Sequence, residues 1–467
     1  MEMKKYDAVR LLCFVLIFCL LFHLVSAVLR DKRVEGEYNP TTKIKGFYKE
    51  ERNSLDFVFI GSSQLYAHIA PAVLWQEYGI TSYDFAANEQ PLWVSYYYIK
   101  EALKYQKPKA IVLEVFTVYG EDYEEEGGNH INLDDLPLSV NKLRAIHDSV
   151  PRQLRSSFYF DLAKYHSTWS SLDKEKYEAT FRDHTDPMKG YSPFVFLREY
   201  APAASEEVVS QSERAEIPPR ARQWLVKIID LTRREGVDLI FLKTPNGNAE
   251  RQKLYNDVAR IAESENIPFL NLNTVLDGEA HINVPQAKKV TEAVGEFLAS
   301  RYEIPKRQSR KPEVCESFDA SAELFERYEN KCELIAIDDF TEYMTYLAEH
   351  RYVVFGCQNY YEGQDNAQIF ARDGDRTLFE EALDASDEQP ANASGFSEDE
   401  AAVQKELSLY GMEIRLTAGE TTEIVVDGHD YSMHKNGLNL LVYDPILGEM
   451  VERVFAGNTQ DGTLFRD

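Results

Sequence analysis

Residues 57–65 read Phe57-Val58-Phe59-Ile60-Gly61-Ser62-Ser63-Gln64-Leu65. The unbroken apolar run, aromatic and β-branched with no polar alternation, fits a strand buried on both faces. The small residues that follow predict a tight turn. Open α/β sheets take up ligands outside the carboxyl ends of their strands, so a hydroxyl presented by this turn stands where such sheets carry their sites. Ser63 is the candidate nucleophile. A serine hydroxyl attacks poorly until a neighbouring base takes its proton, which calls for a histidine elsewhere in the chain.

The same punctuation recurs on both sides of this stretch. Apolar runs at 55–60, 110–116, 237–242 and 268–272 alternate with amphipathic helical segments, the pattern of a mostly parallel sheet flanked by helices. Trp224, Ile228 and Leu231 share one helical face, with Gly236 as the stop; Leu254, Val258 and Ile261 share the next. Residues 120–220 break the rhythm with acidic and aromatic segments. They are expected as an insertion over one end of the sheet, with His166 and Trp169 in its core or a pocket wall. The acidic run 121–126 reads as a solvated loop, with calcium binding the lesser alternative because the ligand spacing is irregular.

The best candidate base is His281, in Asp277-Gly278-Glu279-Ala280-His281-Ile282-Asn283, just ahead of a helix over 285–299. A catalytic imidazole needs a carboxylate to fix its tautomer, and Asp277 or Glu279 could supply it. No motif calls for a cofactor, and no histidine–cysteine spacing suits a metal.

Residues 11–29 form an uncharged run between Arg10 and Arg30, long enough to span a bilayer. Val25-Ser26-Ala27 also suits a signal peptidase, but the run exceeds the usual signal core, so residues 1–30 are expected to be an uncleaved anchor. Basic residues flank both ends alike. With the short N-terminus inside, either reading exports the rest, giving a single-pass membrane protein with extracellular domains.

The chain has 467 residues, enough for two domains beyond the anchor, and 51 basic against 78 acidic side chains give a net charge of -27. That balance repels phosphate backbones and excludes nucleic acid as the expected partner. Cys13 and Cys19 lie in the apolar run; Cys315, Cys332 and Cys357 allow one disulfide whose pairing spacing cannot choose.

The Gly-Ser-Ser turn, together with a carboxylate and His-Ile-Asn shortly before the last helix, resembles the first and last sequence blocks of SGNH/GDSL hydrolases. Residues 83–101 (YDFAANEQPLWVSYYYIKE), the segment KPKAIVLEVF and YHSTW at 165–169 look like exported SGNH-like proteins of Gram-positive bacteria. The likeness covers residues 50–303 and implies a three-layer α/β domain. By it, Ser63 matches the nucleophile, His281 the base and Asp277 the aspartate. The family places that aspartate three residues before the histidine, where Gly278 stands here. Its Gly-x-Asn block is absent, so Asn88 is the substitute oxyanion donor. The arrangement of one span and an SGNH-like domain is similar to the D-alanyl-lipoteichoic acid biosynthesis D protein and to alginate O-acetylation proteins.

A basic, proline-punctuated stretch, 304–313, reads as a linker to a second domain at 314–467. There a helix over 338–350 precedes strand-like runs at 352–355, 413–417, 422–426, 438–443 and 451–455, a smaller α+β domain. Residues 384–400 read as an exposed polar loop, with a glycosylation sequon at Asn392-Ala393-Ser394. LIAIDDFTEYMTYL, Gly437-Leu438-Asn439 and Tyr443-Asp444-Pro445 resemble the lectin-like interleukin-like EMT inducer domain, which implies carbohydrate binding. The leading expectation is a cell-surface O-acyltransferase or esterase acting on exported or cell-wall polysaccharide, with a membrane-bound O-acyltransferase as partner. Its rival is a non-catalytic SGNH-fold protein that binds glycan or assists assembly.

Overall fold

The computed structural model describes residues 5–30, 32, 39–120, 126–197, 213–245, 251–273, 281–359, 366–384, 402–419, 421–456 and 464–466. Contacts divide the chain into two units, Met1–Phe194 with Arg198–Phe325, and Val195–Leu197 with Glu326–Asp467.

The first unit is built on a five-stranded parallel sheet. Its strands are β1 (Phe57–Ile60), β2 (Ser82–Asp84), β3 (Ala110–Glu114), β4 (Asp238–Lys243) and β5 (Phe269–Asn271), in the order β2-β1-β3-β4-β5. Alternate residues feed two cores. Val58, Ile60, Ile111, Leu113 and Phe241 pack with Trp93, Tyr98, Leu225, Ile228 and Val258 of helices Leu92–Tyr105, Pro219–Glu235 and Gln252–Glu265. Phe57, Phe59, Val112, Ile240 and Leu242 pack with Leu65, Leu74, Val294 and Leu298 of helices Ser63–His68, Pro71–Tyr78 and Val284–Ala299. The result is the expected three-layer α/β domain. Helix ends follow local chemistry: Gly236 closes Pro219–Glu235 at φ 68°, and Asn283 caps Val284–Ala299 by accepting from the Gln286 amide at 3.2 Å.

Among the described residues one helix, Ala8–Leu29, is long and apolar enough to cross a membrane. Its side chains are exposed through Leu11, Phe14, Phe18 and Leu21, and cover begins at Ser26. The inserted region forms short helices and turns, among them Arg155–Tyr159, Asp161–Tyr165, His166–Ser171 and Lys174–Phe181. His166 and Trp169 do not enter a core or a pocket wall. Both are exposed, Trp169 at 72%, because a turn of this kind has no second layer to bury them.

The basic stretch 304–313 does not hang free. Arg310 pairs with Asp56 and Lys311 with Glu51, both on the first unit, and Pro312 begins the helix Pro312–Leu334. The division between units falls within that helix, at Phe325/Glu326. Pro312 acts as a helix starter, since the first turn has no intrahelical use for its missing N–H.

The second unit pairs two antiparallel sheets. One runs β15-β14-β13-β6-β7-β8, from β6 (Val353–Gln358), β7 (Asn366–Asp373), β8 (Arg376–Asp384), β13 (Leu438–Asp444), β14 (Glu449–Ala456) and β15 (Phe465–Arg466). The other runs β12-β11-β10-β9, from β9 (Val403–Leu409), β10 (Met412–Ala418), β11 (Thr422–Val426) and β12 (His429–Asp430). Val353, Phe355 and Leu441 face Ile414, Leu416 and Ile424 between the sheets. Val354, Leu440 and Val442 face Tyr343 and Leu347 of helix Phe340–Glu349 on the other side. This is the smaller α+β domain expected. Asn439 is buried, donating to Thr422 Oγ1 at 2.7 Å and accepting from the Met433 amide at 2.9 Å, while Asp444 accepts from Arg327 at 2.7 Å. Both residues hold the domain together. All five cysteines are free thiols, and burial pushes Cys357 up to about 12. The sequon and nearly all of the expected loop at 384–400 lie outside the described residues.

Candidate functional site

The strand order reverses direction between β1 and β3, and an open parallel sheet has its crevice at the carboxyl ends of such a pair. The β1 end continues as Gly61-Ser62-Ser63, and the β3 end carries Glu114.

Ser62 is the N-cap of helix Ser63–His68, its Oγ accepting from the Gln64 amide at 3.3 Å. The same hydroxyl donates to Glu114 Oε2 at 2.9 Å, and the Ser62 amide donates to that oxygen at 3.4 Å. Glu114 Oε1 accepts from the Phe116 amide at 2.5 Å. One carboxylate therefore ties both turns of the switch point together. A methyl group on Gly61 would lie 2.6 Å from Glu114 Cβ, so the turn approaches β3 as only glycine permits.

Glu114 is buried, which pushes its carboxyl up; the ammonium of Lys243 at the β4 end and the Ser62 and Phe116 donors oppose that. Three donors aimed at two oxygens stabilise the carboxylate. Burial lowers Lys243 to about 8, against the attraction of Glu114 and with some repulsion from Arg251. Lys243 Nζ lies 5.0 Å from the Tyr255 ring centre and 5.5 Å from that of Phe116, and it donates to the Thr244 carbonyl.

Ser63 occupies the first position of the helix, 7% exposed, and its hydroxyl has no hydrogen-bond partner among the described residues. His281 packs against this helix: its ring centre is 6.3 Å from Tyr66 and 6.2 Å from His68, and 4.9 Å from Phe194. Its Nδ1 is buried without a partner, and burial lowers the imidazole to about 4, so it is neutral at pH 7. Among the described residues no hydrogen bond joins Ser63 and His281. His68 is fully buried, neither ring nitrogen has a partner, and burial lowers its pKa well below the usual value, helped by His281 and Lys243.

Asn88 follows Ala87, whose amide donates to the Gly61 carbonyl at 3.3 Å, which brings this loop beside the Ser63 turn. The Asn88 carbonyl accepts from Asn132 at 2.9 Å. Asp277 and Glu279 lie outside the described residues. No group of three or more histidine, cysteine or acidic side chains suited to a metal occurs among the described residues.

Sequence reasoning missed Glu114, Lys243 and His68. The first two carry a visible signal: each is the one charge closing an otherwise apolar strand run, IVLE and LIFLK. A charge there faces the crevice end of the sheet and needs a partner. His68 has no comparable mark.

These features define a parallel α/β domain with a serine-bearing turn at its topological switch point. No protein-family model matches the chain, and no curated protein matches it. Among solved structures, one from Desulfitobacterium hafniense DCB-2, described as a lipolytic protein of the G-D-S-L family, is 11% identical over 53% of this chain and 100% of its own, with a TM-score of 0.27. A likeness that slight decides nothing about this chain.

Proposed function

We propose that the first unit is an esterase or O-acyltransferase of SGNH type acting on exported or cell-wall polysaccharide. The observation that carries this reading is the placement of Ser63 at the switch point, its hydroxyl unengaged while the adjacent Ser62 is held by Glu114. In the reaction Ser63 Oγ attacks the acyl carbon, and its proton passes to neutral His281. The leaving alcohol takes that proton, and a sugar hydroxyl or water then opens the acyl-enzyme. Asp277 orients the imidazole. The amides of Ser62, Gln64 and Leu65 already have acceptors, which leaves the Ser63 amide for the oxyanion, and Asn88 is the substitute for the second donor that the family resemblance implies. A Ser63–His281 hydrogen bond must form when substrate binds, as catalytic bonds that are loose without substrate do. A membrane-bound O-acyltransferase is the partner that would deliver acyl groups to this site.

The missing Ser63–His281 bond and the unpartnered Nδ1 of His281 favour a second reading, a non-catalytic scaffold that holds glycan. A serine-reactive fluorophosphonate separates the two. Stoichiometric labelling of the folded full chain at Ser63 is the expected result, and folded protein that takes no label sinks the enzymatic reading.

A further inference from the structure

The helix Lys5–Leu29 is bare of protein contacts for most of its length and enters the first unit only near its end. Ser26 is buried, the Arg30 guanidinium donates to the Asp134 carbonyl at 2.9 Å, and it pairs with Asp135 at 3.4 Å. The same helix packs against Asp161–Tyr165, His166–Ser171 and Lys174–Phe181. Those segments and the residue before them carry exposed aromatic side chains, Phe160 58%, Trp169 72%, Tyr177 51% and Phe181 59%. Scattered apolar residues on a surface need no explanation, but large exposed ones on the very segments that pack against a bare apolar helix mark an interaction face.

We propose that this group is a collar seated in the interface of the bilayer that the N-terminal helix crosses. The exposed stretch from Tyr6 to Val25 rises roughly 30 Å, matching a hydrocarbon core of about 30 Å. With that stretch in the hydrocarbon, the membrane surface falls at Ser26, where the collar packs. Tryptophan and tyrosine concentrate at this level because their rings are apolar and their N–H and O–H groups want water. Tyr177 and Phe181 stand one turn apart on their helix with ring centres 5.3 Å apart, forming a continuous apolar edge. The collar, with the Arg30 anchorage, fixes the first unit against the membrane in one orientation, independently of what Ser63 does.

Trp169 reports its own location. Of four tryptophans, Trp75, Trp93 and Trp224 are 3%, 1% and 6% exposed, so lipid-borne quenchers reach Trp169 alone. The experiment reconstitutes the full chain, and a Trp169→Phe variant, into phosphatidylcholine–phosphatidylglycerol vesicles whose lipids are brominated high on the acyl chain. The expected result is a loss of emission in the parent that disappears in W169F. Equal quenching of the two proteins overturns the proposal, as does an unquenched, red-shifted Trp169 emission, the outcome for a face that docks another protein.

Discussion

Ser62 Oγ and Glu114 Oε2, 2.9 Å apart, join the ends of two neighbouring parallel strands at the point where the sheet changes direction. The bond is made by the residue next to the candidate nucleophile, and the Ser63 hydroxyl has no hydrogen-bond partner among the described residues. One serine of the Gly-Ser-Ser turn is structural, and the other is the proposed nucleophile.

This division of labour predicts opposite effects for two small substitutions. Ser62→Ala removes the cap and one donor to Glu114, and it should lower stability by about 1–2 kcal/mol. Ser63→Ala removes no hydrogen bond among the described residues and should leave the melting temperature unchanged. Any ester-cleaving or acyl-transfer activity should fall by at least ~10³-fold in S63A. Thermal melts and turnover of a chromogenic acetyl ester read both effects. A destabilised S63A that keeps its activity would reverse the assignment.

Glu114 and Lys243 are both buried beneath the turn, and each acts on the other's charge without a direct ion pair among the described residues. Glu114→Ala strands the Ser62 and Phe116 donors and removes the carboxylate that attracts Lys243, and should cost about 2–3 kcal/mol, whereas adding Lys243→Met should recover part of that loss. The sign of the coupling in the double-mutant cycle is the test: additive losses would mean that the two groups do not sense each other.

The central strands were legible because burial on both faces demands an unbroken apolar run, and 57–60, 110–113 and 239–242 have one. β2 is three residues, Ser-Tyr-Asp, too short for any period to register. β9 alternates cleanly between half-buried and exposed side chains, yet Val403-Gln404-Lys405-Glu406-Leu407 looks polar when averaged. The helix Pro312–Leu334 was hidden by reading Pro312 as a break, when proline at a first turn starts a helix. Ser63 could be read from its turn. Its setting could not, because Glu114 and Lys243 come from strands 50 and 180 or so residues further on, and only the sheet order brings them together.

Two unpaired imidazoles set an acid limit on the first unit. The folded-state pKa of His281 is lowered to about 4 and that of His68 lies well below 6.5. Between pH 6.5 and about 4 the unfolded chain binds protons that the folded chain does not, so this source makes stability rise with pH across the window and level off above it. Buried Asp84, whose carboxyl is raised by burial, acts in the opposite sense, but it is common to parent and variant. His68→Leu should therefore flatten the acid side of the stability–pH curve, and it should also stabilise the fold at pH 7 by about 1 kcal/mol by removing unpartnered polar atoms. Melting temperatures at pH 5 and pH 7.5 measure the difference. An unchanged slope would mean that His68 is paired with buried water and titrates normally.

The second unit should fold without the first. It has its own two cores, with Val353, Phe355 and Leu441 against Ile414 and Ile424, and Val354 and Leu440 against Tyr343 and Leu347. Its buried pair, Arg327 with Asp444 at 2.7 Å, lies within the unit, and Arg327 also donates to the His350 carbonyl at 2.7 Å. A fragment should begin at Pro312 and not at the unit boundary, because cutting at Glu326 would remove half of the helix that carries Arg327. Residues 312–467 should then melt cooperatively, and Arg327→Ala should cost that fragment about 3–5 kcal/mol by leaving Asp444 unpaired inside it. A non-cooperative melt would show that both units form one folding body. The same fragment, presented to an array of bacterial envelope polysaccharides, tests the lectin-like expectation, with retention of glycan as the expected outcome. Asn439 and Asp444, the residues that suggested the likeness, are spent on internal hydrogen bonds, so Asn439→Ala should unfold the fragment before it alters any sugar preference. A variant that stays folded and loses glycan selectively would instead put Asn439 in the binding surface.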